Sequence, residues 1–403
     1  MPKVVFLHPD LGIGGAERAV IDAALALNSQ GHEVEFVTAH HDPKHCFQET
    51  RDGNFKVTVA GDWLPRHILG RMYAVCAYVR MIYAAIYLVF FSKKPADIIF
   101  CDQISACLPI LKFSPAKTLF YCHFPDMLLA KRNSFLKRIY RAPIDWVEEW
   151  TTGMADVVLV NSKFTASVFK ETFTSLSKLE PAVLYPVSDF SAFNKPIDDS
   201  GESFIPAHKN LVFLSINRYE RKKNLALAIQ AFGQLKDKLS KAVGDSTHLI
   251  MAGGYDERVT ENVEHYLELR RLCDKLSIND DVTFLRSISD AEKRNLLDKC
   301  DCLLYTPDRE HFGIVPIEAM YMKCPVIACN SGGPLETVVD GKTGYLREGR
   351  PDQFAEAMEK IVSDPKQTKT FGENGRKHIM DKFSFKTYTD QLNSVISDLM
   401  KKP

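Results

Sequence analysis

Short apolar runs alternate with longer stretches of helical periodicity along the first half of the chain. The runs have the length of β-strands buried on both faces, and the stretches between them suit crossover helices. This alternation predicts a parallel sheet covered by helices. The predicted strands are residues 4–7, 34–38, 98–101, 118–122 and 157–160.

The same alternation restarts after a polar stretch that covers residues 194–210. Both halves therefore have an α/β, doubly wound, Rossmann-like pattern, and each should carry ligand-binding loops at the carboxyl ends of its strands. We predict two domains, 1–193 and 211–403, joined by the linker 194–210 and facing a central cleft. The strands predicted in the second half are residues 211–216, 248–252, 282–285, 302–305 and 326–328.

Bulk composition narrows the function classes. A length of 403 residues suits two hydrophobic cores. The 51 basic and 51 acidic residues balance, so we expect no nucleic-acid partner. The ten cysteines lie in apolar surroundings without a Cys-x-x-Cys pair, which indicates reduced core thiols. The chain starts directly with a strand-like run and has no room for a secretory signal, so we expect the catalytic body in the cytosol.

One segment departs from the soluble pattern. Residues 72–91 contain a single charged residue, Arg80, and are long enough to cross a bilayer core. A central arginine is costly in hydrocarbon, and the tyrosines of the segment prefer an interface. The segment is therefore interpreted either as lying on a membrane or as a buried helix that leads into the strand 98–101.

A glycine-rich turn, 12–18, follows the first predicted strand and precedes a helical stretch. Glycines let backbone amides approach a ligand closely, and the amino terminus of a helix favours an anion. Gly14 and Gly15 are therefore candidate ligand contacts, with a tight structural turn as the alternative. A dinucleotide fingerprint would need a third glycine where Glu17 stands, which argues against a nicotinamide cofactor.

A cluster of cations, 218–223, follows the first strand of the second half. Such clusters usually face water. Arg218, however, lies just beyond the carboxyl end of a strand, and Lys223 lies just before a helix, so both can point toward a ligand. Arginine offers a planar fork and lysine a point charge, which together suit a diphosphate.

Two glutamates flank a glycine turn after the strand 302–305. Pro316 fits the first turn of a helix, which puts Glu310 in the preceding loop and Glu318 about one turn inside. This spacing suits one carboxylate at a reacting sugar and the other at nucleotide hydroxyls, with two ordinary surface glutamates as the alternative. The backbone amides beside them would face phosphates, and the candidate donor contacts of this loop are Phe312, Gly313 and Ile314.

These motifs together resemble glycosyltransferase family 4, over nearly the whole chain. The resemblance rests on Arg218 with Lys223, on the Glu310-x7-Glu318 pattern, and on the segment 330–344. The longer strings 8–18, 120–126, 140–146 and 217–224 resemble the eukaryotic mannosyltransferases that build dolichol-linked oligosaccharides. The family implies the GT-B fold and retention of anomeric configuration.

The resemblance implies roles for individual residues. Arg218 and Lys223 bind the donor diphosphate, Glu318 takes the ribose hydroxyls, and Glu310 holds the transferred sugar. His123 matches the family histidine near that sugar, with a structural histidine as the alternative. Family members usually have glycine before the phosphate-binding arginine, whereas this chain has Asn217. The loop backbone is therefore less well defined by the resemblance than the charges.

The resemblance further implies transfer of mannose from GDP-mannose, first alpha-1,3 and then alpha-1,6, to Man-GlcNAc2-diphosphodolichol in N-glycan precursor synthesis. It implies an endoplasmic reticulum membrane enzyme with cytosolic catalytic domains, no required cofactor or metal, and other early dolichol-pathway mannosyltransferases as partners. The alternatives are a family 4 transferase that uses a UDP-sugar and a non-catalytic membrane adaptor on this fold.

A basic stretch between Asp126 and Asp145 contains no acidic residue and alternates with apolar side chains. A solvated basic helix is one interpretation. The other is a platform for anionic headgroups or the acceptor diphosphate, with residues 72–91 supplying apolar contact. The candidate acceptor or membrane residues are Lys131, Arg132, Lys137, Arg138, Arg141 and Arg80.

Overall fold

The computed structural model describes residues 1–130, 132, 134–188, 190–196 and 204–401. The chain forms two compact units. The first contains residues 1–187 and the C-terminal helix, and the second contains residues 188–384. Lys131 and the middle of the predicted linker, 197–203, lie outside the described residues.

The first unit is built on a parallel sheet of seven strands in the order β3-β2-β1-β4-β5-β6-β7. Its inner strands are buried on both faces, so their side chains alternate between two apolar layers. Phe6 packs into one layer, and Val5 and Leu7 pack into the other. The strands are β1 Lys3–His8, β2 Glu33–Thr38, β3 Lys56–Val59, β4 Ile98–Asp102, β5 Lys117–Cys122, β6 Val157–Val160 and β7 Ala182–Val183.

Helices connect these parallel strands, because a parallel pair needs a crossover. The α-helices of the first unit, apart from the C-terminal one, are α1 Gly15–Ser29, α2 Gln48–Arg51, α3 Tyr73–Phe90, α4 Leu108–Leu111, α5 Asp126–Leu129, α6 Phe135–Thr152 and α7 Lys163–Thr172. Short 3-10 turns lie at Ser105–Cys107 and Thr174–Leu176.

The apolar segment 72–91 forms α3. This helix connects β3 to β4 along the chain and packs on the sheet. α3 is long and apolar enough to cross a membrane by length and composition. Met81, Ala84 and Ala85 are nevertheless fully buried in the first unit. Arg80 is buried as well, and its guanidinium donates to the carbonyl of Ala39 at 2.9 Å. Arg80 thus points into the first unit and not to its surface, while other side chains of α3, such as Val79 and Phe90, are exposed.

The second unit repeats the design with a six-stranded parallel sheet in the order β10-β9-β8-β11-β12-β13. The strands are β8 Leu211–Ile216, β9 Thr247–Gly253, β10 Val282–Arg286, β11 Cys302–Tyr305, β12 Val326–Cys329 and β13 Gly344–Arg347. The α-helices are α8 Leu225–Lys238, α9 Lys241–Ser246, α10 Thr260–Leu276, α11 Asp290–Lys299, α12 Ile314–Tyr321, α13 Pro334–Thr337, α14 Pro351–Ser363 and α15 Pro365–Lys382. The 3-10 turns are Ala192–Asn194, Arg221–Lys223 and Asn279–Asp281.

The last helix, α16 Phe385–Lys401, belongs to the first unit, whereas the sequence-based boundaries put it in the second domain. Its apolar residues Tyr388, Leu392 and Ile396 recur every four positions and form one face. That face is buried in the same cluster as the core residues of α1 and β1. Apolar burial, not closeness along the chain, decides which unit the helix joins.

All ten cysteines are buried and free, which confirms that they are core thiols.

Candidate active site

Polar residues collect at the same topological position in both units. In each sheet, the strands that come next in the chain lie on one side of the unit's first strand, and the later strands lie on its other side. The strand order therefore reverses between β1 and β4 in the first unit and between β8 and β11 in the second. Ligands of open α/β sheets bind beyond the carboxyl ends of the strands at such a switch point. The candidate residues of each unit lie at this edge.

In the first unit, a carboxylate joins two histidines at the switch point. Asp102 ends β4, His8 ends β1, and His123 directly follows β5. Asp102 Oδ1 lies 2.7 Å from His8 Nδ1, and Asp102 Oδ2 lies 2.9 Å from His123 Nε2. His8 and Asp102 are fully buried, whereas the side chain of His123 is 23% exposed. His123 is thus the member of the network that a ligand can reach.

Burial and charge fix the protonation of this network. Burial alone would lower the pKa of His8, but the charge of Asp102 and its hydrogen bond outweigh it, and with Glu17 they raise the pKa to about 9. Burial would raise the pKa of Asp102, yet the two histidines lower it. Asp102 is therefore an ionised acceptor at neutral pH, so His123 must donate from Nε2, and its Nδ1 is the acceptor when the ring is neutral.

A side chain of α6 forms hydrogen bonds to the backbone of the loop that carries His123. Glu148 accepts the backbone N–H groups of Asp126 at 2.6 Å and Met127 at 2.9 Å. Burial raises the pKa of Glu148 to about 7, against these two amide hydrogen bonds. Asn161 donates to the carbonyl of His123 at 2.9 Å. The position of His123 therefore depends on side chains from two neighbouring elements.

The predicted glycine turn begins α1. Gly14 is the N-cap residue, and Glu17 lies in the first turn with its carboxylate 3.8 Å from His8 Nε2. A Cβ atom added at Gly15 would meet nothing within 4 Å, so internal packing does not require glycine there. The open space in front of Gly15 lets a ligand approach the helix amino terminus.

In the second unit, the loop after β8 carries Arg218. Its guanidinium is 61% exposed at the side-chain level and lies 2.9 Å from Glu220. The loop approaches β9 closely: Gly253 has a φ of +147°, and a Cβ there would lie 1.9 Å from the carbonyl oxygen of Asn217. Glycine at position 253 is thus a requirement of this loop, although the loop itself has Asn217 where family members usually have glycine.

Lys223 and Glu310 form an ion pair at the second switch point. Lys223 Nζ lies 2.5 Å from Glu310 Oε2, and both side chains are mostly buried. The hydroxyl of Thr306, just after β11, donates to the carbonyl of Lys223 at 2.8 Å and ties the two loops together. The structure thus brings together two residues that were predicted separately from the sequence.

The loop between Glu310 and α12 needs glycine. Gly313 has a φ of +87°, and a Cβ would lie 3.0 Å from the hydroxyl of Tyr305. Phe312 is buried, and its ring packs at a tilt against that of Phe383, with ring centroids 5.8 Å apart. Phe312 therefore anchors the loop, while the backbone amides of Gly313 and Ile314 begin α12 without acceptors inside the helix.

Glu318 is buried inside the first turns of α12. Its Oε1 accepts from Lys293 of α11 at 2.9 Å. Burial raises the pKa of Glu318, although Lys293 lowers it. Its Oε2 is buried without a hydrogen-bond partner among the described residues. An unpaired buried carboxylate oxygen is costly, and a ligand hydroxyl that donates to it would relieve that cost.

The basic stretch does not form one platform. Arg141 is buried and pairs with Asp126 and Asp145. Arg132 is exposed and lies 2.9 Å from Asp145, so burial removes Arg141, but not Arg132, from the predicted cationic surface. Helical periodicity turns position 141 inward on α6. The exposed cations of α6 are Lys137 and Arg138.

Sequence reasoning did not select His8, Asp102 or Lys293. His8 and Asp102 each directly follow a predicted strand, 4–7 and 98–101. Carboxyl ends of neighbouring parallel strands converge, so a search for polar residues at those positions could have found both. Lys293 has no such signal, because an exposed-looking lysine on a predicted helix is common.

Comparisons with known proteins identify the family. The model of "Glycosyltransferase Family 4" matches residues 13–180, and that of "Glycosyl transferases group 1" matches residues 198–378. The chain is 54% identical over 403 residues to the alpha-1,3/1,6-mannosyltransferase ALG2 of Homo sapiens, covering 99% of this chain and 96% of that protein. It is 42% identical to the Saccharomyces cerevisiae protein of the same name, covering 99% and 85%.

The chain belongs to the alpha-1,3/1,6-mannosyltransferases of glycosyltransferase family 4. This mannosyltransferase has the two-domain GT-B fold. Sucrose-phosphate synthase from Thermosynechococcus elongatus matches 100% of both chains with a TM-score of 0.78 at 19% identity. Anabaena HepE in complex with UDP matches with a TM-score of 0.72 at 18% identity, over 98% of this chain and 100% of the other. The relatives that show the family are named mannosyltransferases, so the substrates of this chain are a sugar-nucleotide donor and a glycan acceptor.

Proposed function

We propose that this mannosyltransferase transfers mannose from GDP-mannose to Man-GlcNAc2-diphosphodolichol, adding an alpha-1,3-linked and then an alpha-1,6-linked residue. The reaction belongs to N-glycan precursor synthesis on the cytosolic face of the endoplasmic reticulum. The observation that carries the donor assignment is the switch point of the second unit. There, the cations lie on the loop after β8, and the helix amides and a buried carboxylate oxygen without a partner among the described residues belong to the first turns of α12.

Each donor group has a matching protein group in this proposal. The diphosphate is bound by Arg218, Lys223 and the amides at the start of α12, because these carry positive charge or partial positive charge. The ribose hydroxyls donate to Glu318, whose free oxygen needs such a donor. Glu310 holds the mannosyl hydroxyls from its ion pair with Lys223.

We propose a front-face displacement for the chemical step. The acceptor hydroxyl oxygen bonds to the mannosyl C1 while the bond from C1 to the diphosphate oxygen breaks on the same face, so the configuration is retained. The hydroxyl proton moves to the departing diphosphate. Arg218 and Lys223 stabilise the charge that develops there, and this supplies the electrostatic role without a cofactor. His123 orients a sugar hydroxyl through Nδ1, and the open space in front of Gly15 leaves room for a ligand.

The test is a direct assay of donor and product. Detergent-purified protein is incubated with GDP-mannose or a UDP-sugar and a Man-GlcNAc2-diphospholipid acceptor, and the product is analysed by mass spectrometry and linkage-specific mannosidases. We expect two successive mannose additions with GDP-mannose. Both additions should be lost in Glu310→Ala and kept in Glu348→Ala, a matched change of a 70% exposed glutamate. Turnover with a UDP-sugar alone would overturn the donor assignment.

A further inference from the structure

The outer face of α6 is apolar and exposed. Phe135, Ile139, Trp146 and Trp150 recur at spacings of three to four residues or their multiples, which puts them on one side of the helix. Trp146 and Trp150 stack with ring centroids 5.6 Å apart, and both are about half exposed or more. Exposed tryptophans in such a stripe are not explained by packing within the unit.

A second exposed apolar element lies beside α6. The turn before α3 is closed by two hydrogen bonds between the backbones of Ile68 and Arg71, at 2.9 and 2.8 Å. Leu69, at its tip, is 94% exposed. The first turn of α3 contacts α6, because the N–H of Val75 lies 3.4 Å from the hydroxyl of Tyr140. The segment that follows the turn therefore contacts α6.

Two exposed cations lie in the first turn of α6. Lys137 and Arg138 are exposed and form no ion pair with a described residue. Asp145 and Glu148 are buried, and Glu149, which stays partly exposed, accepts the N–H of Ser175 at 2.7 Å, so the two exposed cations of α6 outnumber its one partly exposed carboxylate. An amphipathic helix with aromatic residues on one face and cations beside it is typical of a segment that lies in the interface of an anionic membrane.

We propose that the first unit docks on an anionic bilayer through this lipid-facing surface, with α6 parallel to the membrane plane. The surface is formed by Leu69, Phe135, Leu136, Ile139, Trp146 and Trp150. The role of this docking, which is to bring the first unit to a lipid-linked acceptor, rests on the proposed function. The inner face of α6 holds the loop after His123 through Glu148, so docking of the outer face fixes the height of His123 above the lipid.

Tryptophan fluorescence tests the docking without any turnover. The chain has three tryptophans, and Trp63→Phe leaves the two on α6. The full-length Trp63→Phe protein is mixed with vesicles of phosphatidylcholine and phosphatidylserine, with or without bromine on the acyl chains. We expect both kinds of vesicle to protect the tryptophans from quenching by acrylamide. Only the brominated vesicles should quench their fluorescence directly. Tryptophans that remain open to acrylamide and are not quenched by bromine would overturn the proposal, even if α3 holds the protein on the vesicle.

Matched variants separate the docking from the proposed reaction. Lys137→Gln with Arg138→Gln should weaken vesicle binding about fivefold per cation, whereas the exposed pair Lys241→Gln with Lys275→Gln of the second unit should not. Trp146→Ser with Trp150→Ser should raise KM for an acceptor in vesicles about tenfold or more and leave turnover of a water-soluble short-chain acceptor unchanged. A dependence on a second polypeptide in place of lipid would overturn the docking. Failure of the soluble acceptor alone would count against the proposed function and not against the docking.

Discussion

The two units share a sheet topology but differ in what they hold at the switch point. In the second unit the groups are cations and carboxylates from short loops, partly open to solvent, and Lys223 pairs with Glu310. In the first unit a fully buried His8 and Asp102 stand behind a partly exposed His123. The same fold position thus presents charged side chains that suit a diphosphate in one unit and supports one partly exposed histidine in the other.

This difference between the two switch points also explains which of them could be predicted from the sequence. The proposed donor-binding residues of the second unit lie on two short segments of the chain, so their spacing is visible as a motif. The network of the first unit comes from three strands, and its two hydrogen bonds join residues that are 94 and 21 positions apart. The following experiments test whether the two switch points really have separate tasks.

The largest effect is expected for the cations of the second unit. Lys223→Ala removes the charge that stabilises the departing diphosphate, and Arg218→Ala removes a second one. Each should lower kcat about 100-fold to 1000-fold, as for the loss of one preorganised electrostatic donor. Lys222→Ala is the control, because that exposed lysine pairs with Glu220. Wild-type kcat in Lys223→Ala or Arg218→Ala would refute the diphosphate assignment.

The buried histidine of the first unit should give the protein a pH-dependent stability. The pKa of folded His8 is about 9, above its ordinary value of 6.5, so between these values the folded state keeps a proton that the unfolded state has lost. The stabilisation is complete below pH 6.5 and is lost as the pH rises through 9, in total about 3 kcal/mol. Urea unfolding at several pH values measures it.

His8→Gln provides the comparison for that stability. The variant lacks the titrating group, so its free energy of unfolding should change less between pH 6.5 and 9. Equal slopes in wild type and variant would contradict a charged His8. Only the first unit should respond, and fluorescence from the tryptophans, which all lie in that unit, reports on it.

Asp102→Asn should slow transfer by disturbing His123 rather than by removing a ligand contact. Loss of an outer partner that orients a functional histidine costs about 10-fold to 100-fold in activity. The pH profile of kcat should shift as well, because the Asp102 carboxylate raises the pKa of His8 in the same network. The matched control is Asp62→Asn, which breaks an exposed Asp–His pair with His40 in the same unit. An unchanged pH profile in Asp102→Asn would mean that the network is merely structural.

A smaller effect is expected at the ribose. Glu318→Gln weakens the acceptor for a ribose hydroxyl and should raise KM for GDP-mannose about tenfold, with a smaller change in kcat, because this contact is made in the ground state as well. Glu356→Gln changes an exposed glutamate of the same unit and serves as the control. A fall in kcat with constant KM would place Glu318 at the reacting sugar instead.

The sequence predicted the central strands and the edge strand β10 well, but missed the other three edge strands. β6, β8 and β11 match their predicted residues, because both faces of each are buried and the runs are apolar. β3, β7 and β13 lie at sheet edges, and their residues are partly exposed and mixed in polarity. An edge strand has only one neighbour and needs less apolar surface, so its pattern is weak.

The candidate site was predictable to a similar degree. Arg218, Lys223, Glu310 and Glu318 were found from charge and spacing, but their ion pairs could not be read from the chain. The pairing of Lys223 with Glu310 depends on β8 and β11 becoming neighbours. Arg141 was assigned to a surface because its charge suggested exposure, whereas two aspartates compensate it in the interior.

Calorimetry with GDP tests the separation of tasks most directly. GDP is titrated into wild type, Lys223→Ala and Asp102→Asn, and transfer rates are measured on the same preparations. The account predicts that Lys223→Ala weakens GDP binding about tenfold or more, as expected for the loss of a charge-assisted contact. Asp102→Asn should keep the affinity of wild type and still transfer slowly. Equal loss of GDP affinity in both variants would contradict the assignment of donor binding to the second unit.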